Sequence, residues 1–129
     1  PNALLDDLTE NGCNSERVCA DNPSEANAYI NSRFVLPTIS SDKSEAMTII
    51  VSSTWHPFDS FAIGRLAAER DAIILLEDTS NLDSTAHAIK YVQELNRPVA
   101  SLTFIGDNIR FSNLDKLILA KAATIANAK

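Results

Sequence analysis

A chain of 129 residues has room for one domain with a modest core and none for two. Hydrophobic residues make up 45% and charged residues 22%, a globular profile that excludes a disordered chain. Against 17 Asp and Glu stand 11 Lys and Arg, a formal charge of -6, so little here would replace the counterions of a nucleic-acid backbone.

Residues 2–10 read as a short helix, with Asn2 as cap, a stripe of Leu4, Leu5 and Leu8, and Gly12 as stop. The polar segment that follows carries Cys13 and Cys19, six positions apart. Two readings stay open there: a local disulfide that closes a short loop, or two reduced thiols. Two thiols without further Cys or His neighbours do not make a zinc site. Helix signals resume at Asn22-Pro23-Ser24-Glu25, with Ala26, Ala28, Tyr29, Ile30 and Phe34 as the expected buried face. Pro37 closes that segment, and residues 40–45 read as a loop.

From Met47 the pattern becomes regular. Thr48-Ile49-Ile50-Val51 is a β-branched run of buried-strand length. Helical spacing follows over residues 57–69 through Phe58, Phe61, Ala62 and Leu66. A second strand spans residues 72–76. A second helix, capped by Asp83 or Ser84, turns Ala86, Ile89, Val92 and Leu95 inward and ends before Arg97-Pro98. The third strand, residues 101–105, stops at Gly106. The last helix starts near Ser112 and is expected to bury Leu114, Leu117, Ile118 and Ile125. Three continuous apolar strands, each followed by an amphipathic helix, predict an α/β three-layer sandwich with a mainly parallel sheet, flavodoxin-like or Toprim-like. Ile73-Ile74-Leu75-Leu76 and the other apolar runs are far too short to span a bilayer. No stretch reads as a signal peptide, and with Pro1 in place of Met the chain is expected to be processed or excised from a longer one.

Ligands of a parallel sheet meet the loops that leave the carboxyl ends of its strands. Those loops hold Ser53, Trp55, His56, Phe58 and Asp59, then Glu77 and Asp78, then Asp107 and Asn108. Ser53, His56 and Asp59 spell a triad, yet a nucleophile elbow is missing, and a capped helix start explains the same letters. Asp59, Glu77, Asp78 and Asp107 offer oxygen to magnesium or calcium, the one cofactor the pattern allows; helix-capping carboxylates on a solvated rim are the plainer reading. With 3 glycines in all, no phosphate-cradling loop can form. His87 reads as a surface residue of its helix. Trp55 is expected to seal the sheet edge, with an exposed platform for a sugar ring as the alternative.

Ile50-Val51-Ser52-Ser53, then Phe58-Asp59-Ser60-Phe61-Ala62, Leu66-Ala67-Ala68 and Ala72-Ile73-Ile74-Leu75-Leu76 run in the order strand, polar turn with an aromatic, small-residue helix, strand. Phe104-Ile105-Gly106-Asp107 and Ile109-Arg110-Phe111-Ser112 follow as a strand end and a step into a helix. Over residues 49–119 this resembles the type 2 cell-wall-binding repeat of bacterial and some archaeal surface proteins. Upstream, Arg17 and Glu25 keep the family's opening pattern, while its Gly, second Arg, Tyr and Thr are replaced. Residues 1–16 then correspond to the tail of a preceding repeat and residues 17–129 to one repeat-like unit.

The resemblance implies non-covalent attachment to an anionic cell-wall polymer, with repeats usually working in threes, at an extracellular or cell-surface location. One repeat is present, and its negative charge repels such a polymer unless cations bridge the two. The leading expectation is a non-catalytic binding or anchoring module that contacts a surface polymer or a neighbouring surface domain. Trp55, His56, Phe58, Asp59, Asp78, Asp107 and Asn108 are its expected contact residues. The alternatives are a small magnesium-dependent Toprim-like hydrolase or phosphotransferase, and an oligomeric assembly domain with no small ligand.

Overall fold

The computed structural model describes residues 3–39, 42–55, 57–107 and 109–129, with the backbone alone for residues 3–5 and 57–61. Its centre is a parallel sheet of three strands: β1 (Met47–Ser53), β2 (Ile73–Glu77) and β3 (Val99–Ile105). Spatial order is β2-β1-β3, so β1 lies between the other two. Ile49, Ile50 and Val51 of this middle strand have no exposed surface. Burial on both faces explains why β1 reads as a continuous apolar run rather than an alternating one. Alternation persists in which layer each residue meets. Ile50 joins Ile63, Ala67 and Ala72 under α3 (Pro57–Glu69), while Ile49 and Val51 join the larger cluster on the other face.

That larger cluster lies beneath α4 (Leu82–Glu94) and α5 (Asn113–Asn127), and includes Val92, Leu95, Phe111 and Leu119. Helices therefore cover both faces of an open sheet, as an α/β sandwich requires. Phe111 anchors the junction between β3 and α5, with its ring edge-on to Phe104 at 5.5 Å. Gly106, at φ +142°, turns the chain out of β3 where a Cβ would stand 3.4 Å from the Phe111 ring.

Helix starts follow the capping chemistry of the sequence. Asn22 accepts the Glu25 N–H at 2.9 Å ahead of α2 (Pro23–Ile30). Ser112 and Asp115 form a reciprocal capping box at α5. The α4 cap is Asn81 rather than Asp83 or Ser84, because Asn81 reaches both of their N–H groups. The short α1 (Ala3–Glu10) ends at Gly12, whose φ is +79°. Asn2, its expected cap, and Ser40 and Ser41 of the expected loop lie outside the described residues.

Several helices turn a different face inward from the one apolarity predicts. In α5 the buried side is Leu119, Ala122, Ala123 and Ala126, whereas Leu114, Leu117 and Ile125 are exposed and Ile118 is half-buried. Small residues win because α5 packs closely against β3 and α4, where Ala admits the neighbouring backbone. Ala86 of α4 is exposed and Ala88 buried, and Ala62 of α3 is likewise outside. Half-buried His87 lines a groove between α2 and α4 with Tyr29 and Tyr91.

The reversal is sharpest in α2 and the π-helical turn Asn31–Val35 that extends it. Tyr29, Ile30 and Phe34 face solvent at 45%, 41% and 44% exposure, while Ser24 and Asn31 are buried. Here the segment lies against the outer edge of β2, whose unpaired backbone needs hydrogen bonds rather than methyl groups. Asn27 and Asn31 supply them to Ile74 and Leu76.

Candidate functional site

Parallel strands place all three following loops at one end of the sheet. Because the chain passes from β1 to β2 on one side and returns to β3 on the other, the order reverses between β1 and β3. The crevice of an α/β sheet opens at such a reversal. Ser52 of β1 pairs with Ile105 of β3 there, just before the Trp55 loop and the Asp107 turn diverge toward opposite faces.

The rim is knit together across loops. The Thr54 N–H donates to the Glu77 carbonyl at 3.1 Å, which ties the exit of β1 to the end of β2. Trp55 Nε1 donates to Asp78 Oδ1 at 2.9 Å. From the same turn Thr79 Oγ1 donates to the Arg110 carbonyl at 2.7 Å, bridging to the loop ahead of α5. Trp55 is 61% exposed, so it does not seal the sheet edge as expected. Its indole N–H is fixed and its ring is left toward solvent, the arrangement of an aromatic platform.

The rim carboxylates are engaged in building loops. Asp78 Oδ1 also accepts from the Ser80 N–H at 3.0 Å and the Ser80 hydroxyl at 2.6 Å. Partial desolvation pushes the Asp78 carboxyl up, but these bonds and that from Trp55 outweigh it and hold it below its ordinary value. Asp107 Oδ1 accepts the N–H groups of Ile109 and Arg110 at 3.0 and 2.9 Å. Asp115 is committed to the Ser112 capping box. Among the described residues, no group of three or more His, Cys, Asp or Glu side chains is placed to hold a metal ion.

Glu77 differs from the other described carboxylates of the rim. It is 1% exposed, and among the described residues neither carboxylate oxygen has a partner within hydrogen-bond distance. Burial, then the charge of Asp115, pushes its pKa up to about 7, with the Thr85 hydroxyl pulling weakly the other way and Asp78 adding to the rise. Thr85 makes its own long bond, 3.5 Å, to the Asp78 carbonyl. Period-two alternation through Ile73 and Leu75 marks position 77 as inward-facing, the signal from which this burial was readable.

Of the expected contact residues, Trp55 and Asp78 are brought together, and Asp107 stands in its own turn. His56 and Asn108 lie outside the described residues, and Phe58 and Asp59 are placed by backbone alone in the first turn of α3. Cys13 and Cys19 are both exposed free thiols, so the disulfide reading of their spacing is not realised in this structure. Among the described residues, no helix is long and apolar enough to cross a membrane. Compared with known proteins, the chain matches no family model, no curated protein and no solved structure.

Proposed function

We propose that this domain is a non-catalytic binding or anchoring module, and that the rim at the carboxyl end of its sheet contacts a carbohydrate-containing surface polymer. The observation that carries the reading is Trp55, exposed yet oriented by Asp78 at the carboxyl end of the sheet. A fixed aromatic face stacks on a sugar ring with little loss of side-chain freedom. By sequence position, His56, Asp59, Asp107 and Asn108 would add polar groups to the same contact and Phe58 a second aromatic ring. The resemblance of residues 49–119 to cell-wall-binding repeats points the same way, toward an extracellular or cell-surface setting. Since the chain carries -6, an anionic polymer would be held through divalent cations bridging the two surfaces.

Retention on purified cell wall, with and without chelator, tests this reading. We expect binding that falls on chelation and is lost in Trp55→Ala. No retention of the intact chain under either condition overturns it. Trp55 is also the only tryptophan, 1 in the chain, so its emission reports contact at that residue alone.

A second reading, an assembly domain with no small ligand, draws on the outward face of α5, where Leu114, Leu117 and Ile125 lie exposed. Sedimentation of the purified chain separates the two: a concentration-dependent oligomer broken by Leu117→Glu favours assembly.

A further inference from the structure

Glu77 occupies the next inward position of β2 after Ile73 and Leu75, yet among the described residues no basic group answers its charge. β1 lays Ser53 beside it in register. α4 brings Thr85, which bonds the Asp78 carbonyl, and Ser84, whose hydroxyl is shared between Ser24 and the Asp78 N–H. α5 brings Asp115, engaged with Ser112, and the turn after β2 brings Asp78. The two charged groups acting on Glu77 are thus both negative; Ser84 is engaged with Ser24 and the Asp78 N–H, and the Thr85 hydroxyl is only a weak counterweight. A protonated carboxyl tolerates such a site far better than an ionised one, which must find water or a donor.

The way out is defined by the same contacts. The first turns of α4 and α5 both approach Glu77, through Thr85 and Asp115, and the Thr79–Arg110 bond joins the loops that lead into them. Parting these turns would admit water to Glu77 from the α4–α5 side, opposite the α3 layer. Asp78 would move with that opening, and the Trp55 indole is tied to Asp78.

We propose that Glu77 is a proton-operated latch beneath the rim: protonated, it lets the first turns of α4 and α5 close over the sheet; ionised, it draws in water, parts them, and releases the Asp78 turn with Trp55. The surface around Trp55 then has two states set by one proton, whatever it contacts. Conversion is confined to the rim: Ser53 and Thr54 border it, while Ile49, Ile50 and Val51 of the middle strand and the α3 layer stay in place.

Trp55 emission and amide hydrogen exchange of the intact chain, followed from pH 5.5 to 8.5, test the latch. We expect one transition with a midpoint near 7. Above it, protection over residues 79–86 and 109–116 should drop at least tenfold beyond the intrinsic pH effect, while β1 stays protected. Glu77→Gln should abolish the transition and match the wild type at pH 5.5, where both side chains are neutral. Histidine is the side chain whose ordinary charge change falls in this range, so the double variant His56→Asn, His87→Asn must retain the transition. Persistence in Glu77→Gln, or loss in the histidine variant, overturns the proposal. So does a carbon-13 titration of the wild-type Glu77 carboxyl in the ordinary glutamate range, a result that needs no variant to fold.

Discussion

The side-chain amide of Asn27 takes the place of a neighbouring strand for Leu76: its Oδ1 accepts the Leu76 N–H at 2.9 Å, and its Nδ2 donates to the Ile74 carbonyl at 3.0 Å. Asn31 adds a second donor to that carbonyl, also at 2.9 Å. One helix thereby closes the outer edge of β2, which would otherwise offer its backbone to another chain.

Replacing Asn27 by Leu keeps the volume and removes the acceptor. Ile74 retains Asn31, but the Leu76 N–H is left without its partner. We expect a loss of about 2 kcal/mol in urea unfolding, the penalty of one stranded backbone donor. Asn31→Leu should be milder, because Asn27 still serves both groups. Equal losses in the two variants would show that the edge is held by packing instead.

The succession of strands and helices along the chain, and the helix starts near Asn22 and Ser112, were legible because they rest on local chemistry: β-branched runs, capping residues, and Gly106 after β3. Helix orientation was not, for a reason visible in α2 and α5. Apolarity ranks Tyr29, Phe34, Leu114 and Leu117 as core, yet the surfaces these helices meet are a bare strand edge and a tight helix–sheet contact. The first selects amides and the second selects alanine. Neither demand appears in the helix's own sequence. The Trp55–Asp78 bond, between residues 23 positions apart, was hidden in the same way, although the loops holding both were correctly set at one rim.

The two faces of α5 make that difference measurable. Leu119, without exposed surface, should cost about 2 to 5 kcal/mol when cut to Ala. Leu117→Glu, at a position 64% exposed, should change stability by no more than about 0.5 kcal/mol. Thermal or urea unfolding of both variants checks the orientation of the helix directly. A large loss at 117 with little at 119 would mean that the helix is rotated.

Trp55 gives a separate optical test of the rim. Asp78→Ala removes the indole's acceptor and also the oxygen that organises Ser80. We expect lower fluorescence anisotropy and a red-shifted emission, with little change in far-ultraviolet dichroism. Ser80→Ala separates the two contributions, since it removes one donor to Asp78 and leaves the indole bond in place. Unchanged emission in Asp78→Ala would mean that Trp55 is held by something other than this carboxylate.

Glu77 sets the pH dependence of global stability with a sign opposite to that of an ordinary paired carboxylate. Its folded pKa of about 7 lies above the usual 4.5, so between those values the folded state holds the extra proton. The stabilisation is complete below the lower value and disappears as pH rises through the upper one. The gap corresponds to about 3 kcal/mol. That figure is a ceiling, because admitting water to Glu77 relieves part of the strain before the chain unfolds. Asp42 and Asp78, held below their ordinary values, act in the other direction and only in more acidic solution. Urea unfolding from pH 4.5 to 8 should therefore show wild-type stability declining while Glu77→Gln stays nearly level, the two curves meeting at the acid end. A glutamine variant less stable than wild type at pH 8 would mean that the ionised carboxylate has found a partner inside the fold.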